Sequence, residues 1–280
     1  MKIKLLSLLL FISTSILAQT TISDGEEVSG TWSKSGSPYI IEGEAIVPRG
    51  KTLKIKPGVE VKFKVGDDRD YRVNDDLNPY FNVGFLRVEG TLIAKGKKNK
   101  MITFTHNSQS GYWGNVVFVN SRDNELKYCH FEFSYYIRSV VPDDNATGAV
   151  SFINSSGTVE NCLFVKNGWT AINCKQNSNP QVTNCTVTNN NYGIECNSKS
   201  VPKISNTIIW KNKTQDFYVN GSSMPHLTHS LLTDYGMPDG VINDGKNIYG
   251  KNPKLDSNYK PKKDSPCKKA GSNKKNIGAF

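Results

Sequence analysis

A short stretch of the sequence brings together side chains that could transfer protons. His130 and Glu132 alternate with apolar residues over 129–133, so in a β-strand both would point away from the core. Arg138 and Asp143 follow in the next segment. Carboxylates beside a histidine or an arginine are the groups that a polysaccharide lyase or a glycoside hydrolase uses. These four residues are therefore the candidate catalytic groups.

Other signatures of catalysis are missing from the sequence. The pectinase-like motifs Asn-Thr-Asp, Gly-His-Gly and Arg-Ile-Lys do not occur, and no arginine follows Arg138. No Cys/His spacing fits a zinc site, and no phosphate-binding loop is present. The sequence therefore favours a non-catalytic protein over an enzyme.

Aromatic residues form a second group of candidates. Tyr135 and Tyr136 lie in the same segment as Arg138, and Trp169 follows in the chain. Trp210 is expected on an outward face, in one strip with Leu163, Val165, Ile208 and Leu231. Exposed aromatic side chains can stack on sugar rings, so Tyr135, Tyr136, Trp169 and Trp210 are candidate carbohydrate contacts. The alternative is that an inserted loop or the lysine-rich tail covers the strip.

A segment rich in aspartate, between residues 65 and 84, is the candidate metal site. Carboxylate oxygens are the ligands that calcium prefers. The spacing matches neither the EF-hand loop nor the glycine-rich calcium nonapeptide, so a solvated loop is the alternative and no other cofactor is expected. The five candidate ligands are Asp67, Asp68, Asp70, Asp75 and Asp76.

The elements that must position these groups come from a repeat. A unit of 22 or 23 residues occurs four times between residues 149 and 235. Self-similarity at such a period is typical of a solenoid, in which each coil buries its apolar side only against its neighbours. The pattern predicts apolar interior columns and corners with stacked asparagines that hydrogen-bond between coils. The main columns are Val159, Val182, Ile204 and Leu227; Cys162, Cys185, Thr207 and Ser230; Asn161, Asn184, Asn206 and His229; and Asn167, Asn190 and Asn212.

A leucine-rich repeat is the competing solenoid. The run from Val159 to Asn167 fits its template and its period. However, leucine is scarce in the columns, and the second half of each unit alternates at period two where that fold needs a helix or a looser turn. A strand-only solenoid is favoured, and helix content separates the two.

Both flanks of the repeat resemble one known family. The matching motifs are Ser37-Pro38-Tyr39, Pro57-Gly58, Gly90-Thr91-Leu92, Ile102, Phe104 and Trp113 near the start, and Asn252-Pro253, Ser265-Pro266-Cys267 and Ile277-Gly278-Ala279-Phe280 near the end. They resemble exported right-handed parallel β-helix proteins that are common in Bacteroidetes-type bacteria. The resemblance implies an all-β, right-handed parallel β-helix over 19–250, with insertions at 65–84 and 133–148, and a lysine-rich closing segment at 251–280. For activity the resemblance is nearly silent, because one fold hosts many functions.

The first residues and the overall charge predict export. Residues 1–18 have a basic start, a short apolar run and Ala18 before the expected cut, as in a secretory signal peptide. The rest of the sequence has no apolar run long enough for a membrane helix. We therefore expect a secreted or periplasmic monomer. The net charge of +10 could attract an acidic polysaccharide or an envelope component rather than nucleic acid, and the alternative is that the basic residues form only a solvated surface.

The six cysteines are expected as free thiols, because five of them occupy interior columns. A bridge between Cys174 and Cys196 is the alternative. Three functions remain open at this point: a non-catalytic carbohydrate-binding or envelope-associated protein, a lyase or hydrolase acting on an acidic polysaccharide, and a structural or adhesive module with a protein partner.

Overall fold

The structure is a computed structural model that describes residues 19–66, 83–141, 144–233 and 236–280, without the side chains of 138–141 and 144. Three sheets form the fold, and every strand pairing within them is parallel. The chain visits the first, second and third sheet in turn, so that each circuit makes one coil. Short strands follow from the sequence, because the period-two alternation is interrupted at most corners by asparagine, glycine or proline.

Ten strands form the first sheet: β1 (Thr20–Ile22), β4 (Tyr39–Ile41), β7 (Glu60–Phe63), β10 (Ile102–His106), β13 (Cys129–Glu132), β18 (Leu163–Val165), β21 (Thr186–Thr188), β24 (Ile208–Trp210), β27 (Leu231–Leu232) and β29 (Ile248–Tyr249). The second sheet contains β2 (Glu26–Glu27), β5 (Glu44–Val47), β8 (Phe85–Val88), β11 (Val116–Val119), β16 (Gly148–Ile153), β19 (Thr170–Lys175), β22 (Tyr192–Cys196) and β25 (Gln215–Val219). The third contains β3 (Gly30–Trp32), β6 (Thr52–Ile55), β9 (Thr91–Lys95), β12 (Asn124–Lys127), β17 (Gly157–Glu160), β20 (Gln181–Thr183), β23 (Lys203–Ser205), β26 (His226–Thr228) and β28 (Ile242–Asn243).

Helix content decides between the two solenoids. Within the described ranges the only helical elements are two short 3₁₀ turns, Lys34–Gly36 and Ser272–Lys274. No helix in that part of the chain is long and apolar enough to cross a membrane. The prediction of an all-β parallel β-helix is therefore confirmed, and the leucine-rich repeat is excluded.

The interior is filled by columns of like side chains. Phe131 stacks between Phe104 and Phe164, with ring centroids 4.5 and 4.9 Å apart. A second column pairs Phe118 with Phe152 at 4.8 Å. These rings are fully buried, and offset stacking adds to the free energy gained from burying them. Successive coils are thus held in register by identical contacts.

Polar ladders run along the corners between sheets. The backbone N–H of Asn167 donates to Oδ1 of Asn190 at 3.1 Å, and that of Asn190 donates to Oδ1 of Asn212 at 3.2 Å. The predicted stack of asparagines is therefore confirmed for this column. A serine ladder, which the sequence analysis did not identify, repeats the arrangement at another corner through Ser121, Ser155, Ser178, Ser200 and Ser223.

The other asparagine column has a different role. Asn161, Asn184, Asn206 and His229 all have left-handed backbone conformations, with φ between 47° and 54°. Asparagine tolerates this region better than most residues because its short side chain can bond locally. This column therefore turns the chain at the corner after the third sheet.

Replacing Asn190 by alanine tests the asparagine ladder. We expect the free energy of unfolding to fall by about 3 kcal/mol, because the Asn167 N–H and the Phe164 carbonyl would both lose a buried partner. Urea denaturation gives the value. Asn179→Ala is the control, since Asn179 lies in the same coil but is exposed. Equal changes in the two variants would contradict the role of the ladder.

All six cysteines are free and buried. Cys174 and Cys196 are paired in register on β19 and β22 without a bridge. In the column of Cys162, the sulfur accepts a hydrogen bond from the Cys129 N–H at 3.4 Å, as the Thr207 hydroxyl does from the Cys185 N–H at 3.3 Å. The thiols therefore occupy packing positions that serine and threonine take elsewhere.

Two elements cover the outside of the coils. The antiparallel hairpin β14 (Ile137–Val141) and β15 (Asp144–Ala146) lies against the second sheet, where Ala146 packs with Val117, Val119 and Ile153. The closing segment crosses the first sheet, where Cys267 and Ile277 pack on Ile208 and Leu231. Both contacts bury outward-facing apolar residues that would otherwise be exposed to water.

Candidate ligand-binding site

The candidate catalytic residues are only partly brought together. His130 and Glu132 are neighbours on the outward face of β13, but 3.6 Å separates His130 Nε2 from Glu132 Oε2, which is too long for a hydrogen bond. Burial lowers the pKa of His130. The negative charge of Glu132 acts in the opposite direction but does not cancel this effect. Arg138 belongs to the hairpin on the second sheet, a different face from that of His130. Asp143 lies outside the described residues.

The proposed calcium ligands cannot be placed. Asp67, Asp68, Asp70, Asp75 and Asp76 all lie outside the described residues. In the part of the chain that the structure does describe, no group of three His, Cys, Asp or Glu side chains is arranged to hold a metal ion. Calcium binding by the 65–84 segment therefore stays a prediction.

Six aromatic side chains form a continuous row on the outside of the solenoid, which we call the aromatic strip. Most of them lie at or beside the turn that leads from the first sheet to the second. Each ring is in contact with the next, with centroids 4.9 to 6.4 Å apart. In order, the strip consists of Tyr112, Tyr135, Tyr136, Trp169, Tyr192 and Tyr218.

The fold holds the first rings of the strip in place. Trp113 is fully buried, stacks on Phe63 at 4.2 Å, and accepts a backbone hydrogen bond from Tyr135 at 2.7 Å. Gly168 leaves room for two rings, because a Cβ there would lie 2.7 Å from the Tyr135 ring and 2.8 Å from the Tyr112 ring. Burial, followed by the neighbouring tyrosines, raises the pKa of Tyr135. Its hydroxyl therefore stays protonated and able to donate a hydrogen bond.

A cavity of about 260 Å³ lies at the far end of the strip, lined by Trp169, Tyr192, Glu195 and Tyr218. Glu195 is fixed within it. Its Oε2 accepts hydrogen bonds from the hydroxyls of Thr147 at 2.6 Å and Thr170 at 3.1 Å, and its Oε1 accepts one from Asn197 at 2.7 Å. Since Tyr218 is 42% exposed, the cavity is open to solvent on that side.

Of the four predicted carbohydrate contacts, three lie in the strip and one does not. Tyr135, Tyr136 and Trp169 are neighbours, with contacts of 4.9 to 5.9 Å. The expectation that Trp210 lies on an open strip is wrong: it packs on the cluster formed by the closing segment and the first sheet. The alternative in which the tail covers that strip is the correct one, because Cys267 and Ile277 bury its apolar surface.

Sequence reasoning missed Tyr112, Tyr192, Tyr218 and Glu195. A signal for Tyr192 was available, because it follows Trp169 by 23 residues, which is one repeat. Aromatic residues at the same corner of successive coils must stack along the solenoid. The same signal was available for Glu195 and Tyr218, which are also 23 residues apart and are paired in register on β22 and β25.

Comparison with known proteins supports the same architecture. A family model described as a right-handed β-helix region matches residues 115–265, which is more than half of the chain. No curated protein and no solved structure is significantly similar to the chain. On the strength of the family match and the three parallel sheets, this chain belongs to the family of right-handed β-helix proteins.

Proposed function

We propose that this protein is an exported, non-catalytic carbohydrate-binding β-helix, and that its ligand lies along the aromatic strip. The observation that carries the proposal is the unbroken contact of six aromatic rings on one outer corner. A right-handed β-helix region fits carbohydrate-binding or related roles at the level of the family. Export rests on residues 1–18, which have the composition of a signal peptide.

The geometry of the strip suits a linear oligosaccharide. The apolar face of a pyranose packs on an aromatic ring, while tyrosine hydroxyls and carboxylates bond the sugar hydroxyls. Neighbouring coils are about 4.8 Å apart, so a chain of sugars that lies along the solenoid axis meets a new ring at each coil. Trp169 and Tyr192 come from consecutive coils and lie 5.5 Å apart.

Binding is favoured over hydrolysis by the carboxylates. Glycoside hydrolysis ordinarily uses two carboxyl groups that face each other across the scissile bond. Among the described residues that line the cavity, Glu195 is the one carboxylate. The pair of His130 and Glu132 lies on the first sheet, away from the strip. A catalytic role on acidic polysaccharides would have to use that pair, and release of reducing or unsaturated ends would reveal it.

Replacing Trp169 by alanine tests the proposal. A glycan array identifies the ligand, and isothermal titration calorimetry then compares the affinities. We expect Trp169→Ala to bind about tenfold more weakly, because one aromatic stacking contact contributes about 1 kcal/mol or more.

Trp210→Ala is the matched control. It also removes an indole, but from the surface that the closing segment covers. Thermal unfolding of both variants confirms that the protein remains folded. Unchanged binding by Trp169→Ala, or an equal loss in both variants, would refute the assignment of the strip.

A further inference from the structure

The cavity at the end of the strip combines aromatic rings with a carboxylate. The rings of Trp169 and Tyr192 are inclined by 53°, and those of Tyr192 and Tyr218 by 62°. Non-parallel rings around one cavity surround an occupant on several sides, whereas coplanar rings would offer a flat platform. The π-face of an aromatic ring attracts cations, and tryptophan does so most strongly.

Among the described residues, no cationic side chain neutralises the charge of Glu195. Its three hydrogen-bond donors are the hydroxyls of Thr147 and Thr170 and the amide of Asn197, all of which are uncharged. Within the described residues no lysine or arginine forms an ion pair with it. Lys175, on the neighbouring strand β19, donates its Nζ to the Asn145 carbonyl at 3.0 Å. A carboxylate held by neutral donors in a half-buried cavity therefore favours a positive partner.

A second polar group lies beside Glu195. Asn173 is its register partner on β19, and the side chain of Asn173 is fully buried. Neither its amide oxygen nor its amide nitrogen has a hydrogen-bond partner among the described groups. Burying an amide without hydrogen-bond partners is unfavourable. The fold therefore carries unused hydrogen-bonding capacity next to the cavity.

We infer that this cavity binds the ammonium group of a saccharide that contains a free amino sugar. The inference rests on the proposed function and names its ligand class. The ammonium group contacts the faces of Trp169, Tyr192 and Tyr218 and the carboxylate of Glu195, while the rest of the saccharide follows the strip. An acidic saccharide is disfavoured here, because Glu195 repels it.

The net charge of the whole chain opposes the binding of a cationic ligand. The whole chain carries a net charge of +10, and its field repels a cation at long range. In residues 251–280, nine lysines and two aspartates give 9 − 2 = +7, and that segment covers the first sheet rather than the second. A preference for a cationic ligand therefore has to come from the cavity itself.

The experiment compares two oligosaccharides that differ only in the amine. A β-linked glucosamine hexamer and its fully N-acetylated counterpart are titrated calorimetrically at a pH where the free amine is protonated. We expect the wild-type protein to bind the amine form about tenfold more tightly, since cation–π and charge contacts are lost on acetylation. Glu195→Gln is expected to remove that preference, because it weakens binding of the amine form much more than binding of the acetylated hexamer.

Glu160→Gln is the matched control. It also removes one negative charge, but on the third sheet, where Glu160 pairs with Lys127 at 2.8 Å. It is expected to keep the preference for the amine. Equal affinity of the wild type for both hexamers, or equal losses of both in Glu195→Gln, would overturn the inference and leave carbohydrate binding intact.

Two further outcomes test the proposed function and the ligand class separately. If Trp169→Ala changes the binding of neither hexamer, the proposed function fails together with the inference. If a lysine-rich peptide displaces the glucosamine hexamer at equal concentration, the cavity is a site for protein ammonium groups and the saccharide assignment is overturned.

Discussion

Raising the pH above about 9 is expected to destabilise the protein steeply through its buried thiols. Burial raises the pKa of Cys267 to about 11, and it raises the pKa values of Cys162, Cys185 and Cys196 well above the ordinary value of 9.0. Below that value the thiols are protonated in both states, so their stabilising effect is fully present. Above it the unfolded chain releases protons that the folded chain retains, and the free energy of unfolding falls. Between pH 9 and the pKa of Cys267, four thiols give a slope that approaches about 5 kcal/mol per pH unit.

Urea denaturation at pH 8, 9 and 10, under reducing conditions, measures this slope. The double variant Cys162→Ser with Cys185→Ser is the control, because Thr207 and Ser230 already fill the same column with hydroxyls. Lysines and tyrosines titrate equally in both proteins, so the difference between the slopes belongs to the two thiols. The variant is expected to lose about half of the thiol-dependent slope, because Cys196 and Cys267 remain. Identical slopes would show that the sulfurs are not protonated and buried as described.

Replacing Phe131 by alanine is expected to lower the free energy of unfolding by about 3–5 kcal/mol. Phe131 is fully buried and stacks on Phe104 and Phe164, in the coils before and after its own. Alanine therefore leaves a cavity in the middle of the column and breaks two ring contacts. Coils on either side cannot close the gap, because their spacing is set by the parallel hydrogen bonds of β10, β13 and β18.

Two comparison variants make this prediction specific. Phe131→Leu keeps most of the volume and is expected to cost less than about 2 kcal/mol. Phe280→Ala removes a ring that is half-buried and lies 5.0 Å from the Lys260 ammonium, and is expected to cost less than about 1 kcal/mol. A loss below 1 kcal/mol in Phe131→Ala would contradict a close-packed aromatic column.

The repeat made the interior predictable from the sequence. Once Val159, Val182 and Ile204 are aligned, each must occupy the same place in successive coils, and the structure pairs them in that register. Burial then follows, since a coil can cover its apolar side only with its neighbours. The asparagine ladder was predictable for the same reason. Contacts between equivalent positions of successive repeats can be predicted from the repeat, even though they join different coils.

Contacts that break the period were not predictable. Trp169 and Trp210 looked equivalent as outward aromatic residues, but only Trp210 is covered by the closing segment. That difference depends on Ile277, which is 67 residues further along the chain and outside the repeat. Within the described residues, the hairpin of β14 and β15 also has no counterpart in the other coils. Its position on the second sheet follows from the outward-facing Val117 and Val119, which it buries and which the repeat does not explain.

The closing segment has a consequence for the order of folding. Ala279 accepts a hydrogen bond from the side chain of Asn161 at 3.4 Å and donates one to Thr186 Oγ1 at 3.1 Å, across 118 and 93 residues of sequence. Stacking of successive coils joins residues far closer in sequence, so coils can assemble one after another as the chain emerges. The two hydrogen bonds of Ala279 each close a long loop of the chain, and contacts of this kind form late in folding. Contacts that form after the coils mainly lower the rate of unfolding. The contacts of Ala279 therefore slow unfolding of the coils and do not nucleate their folding.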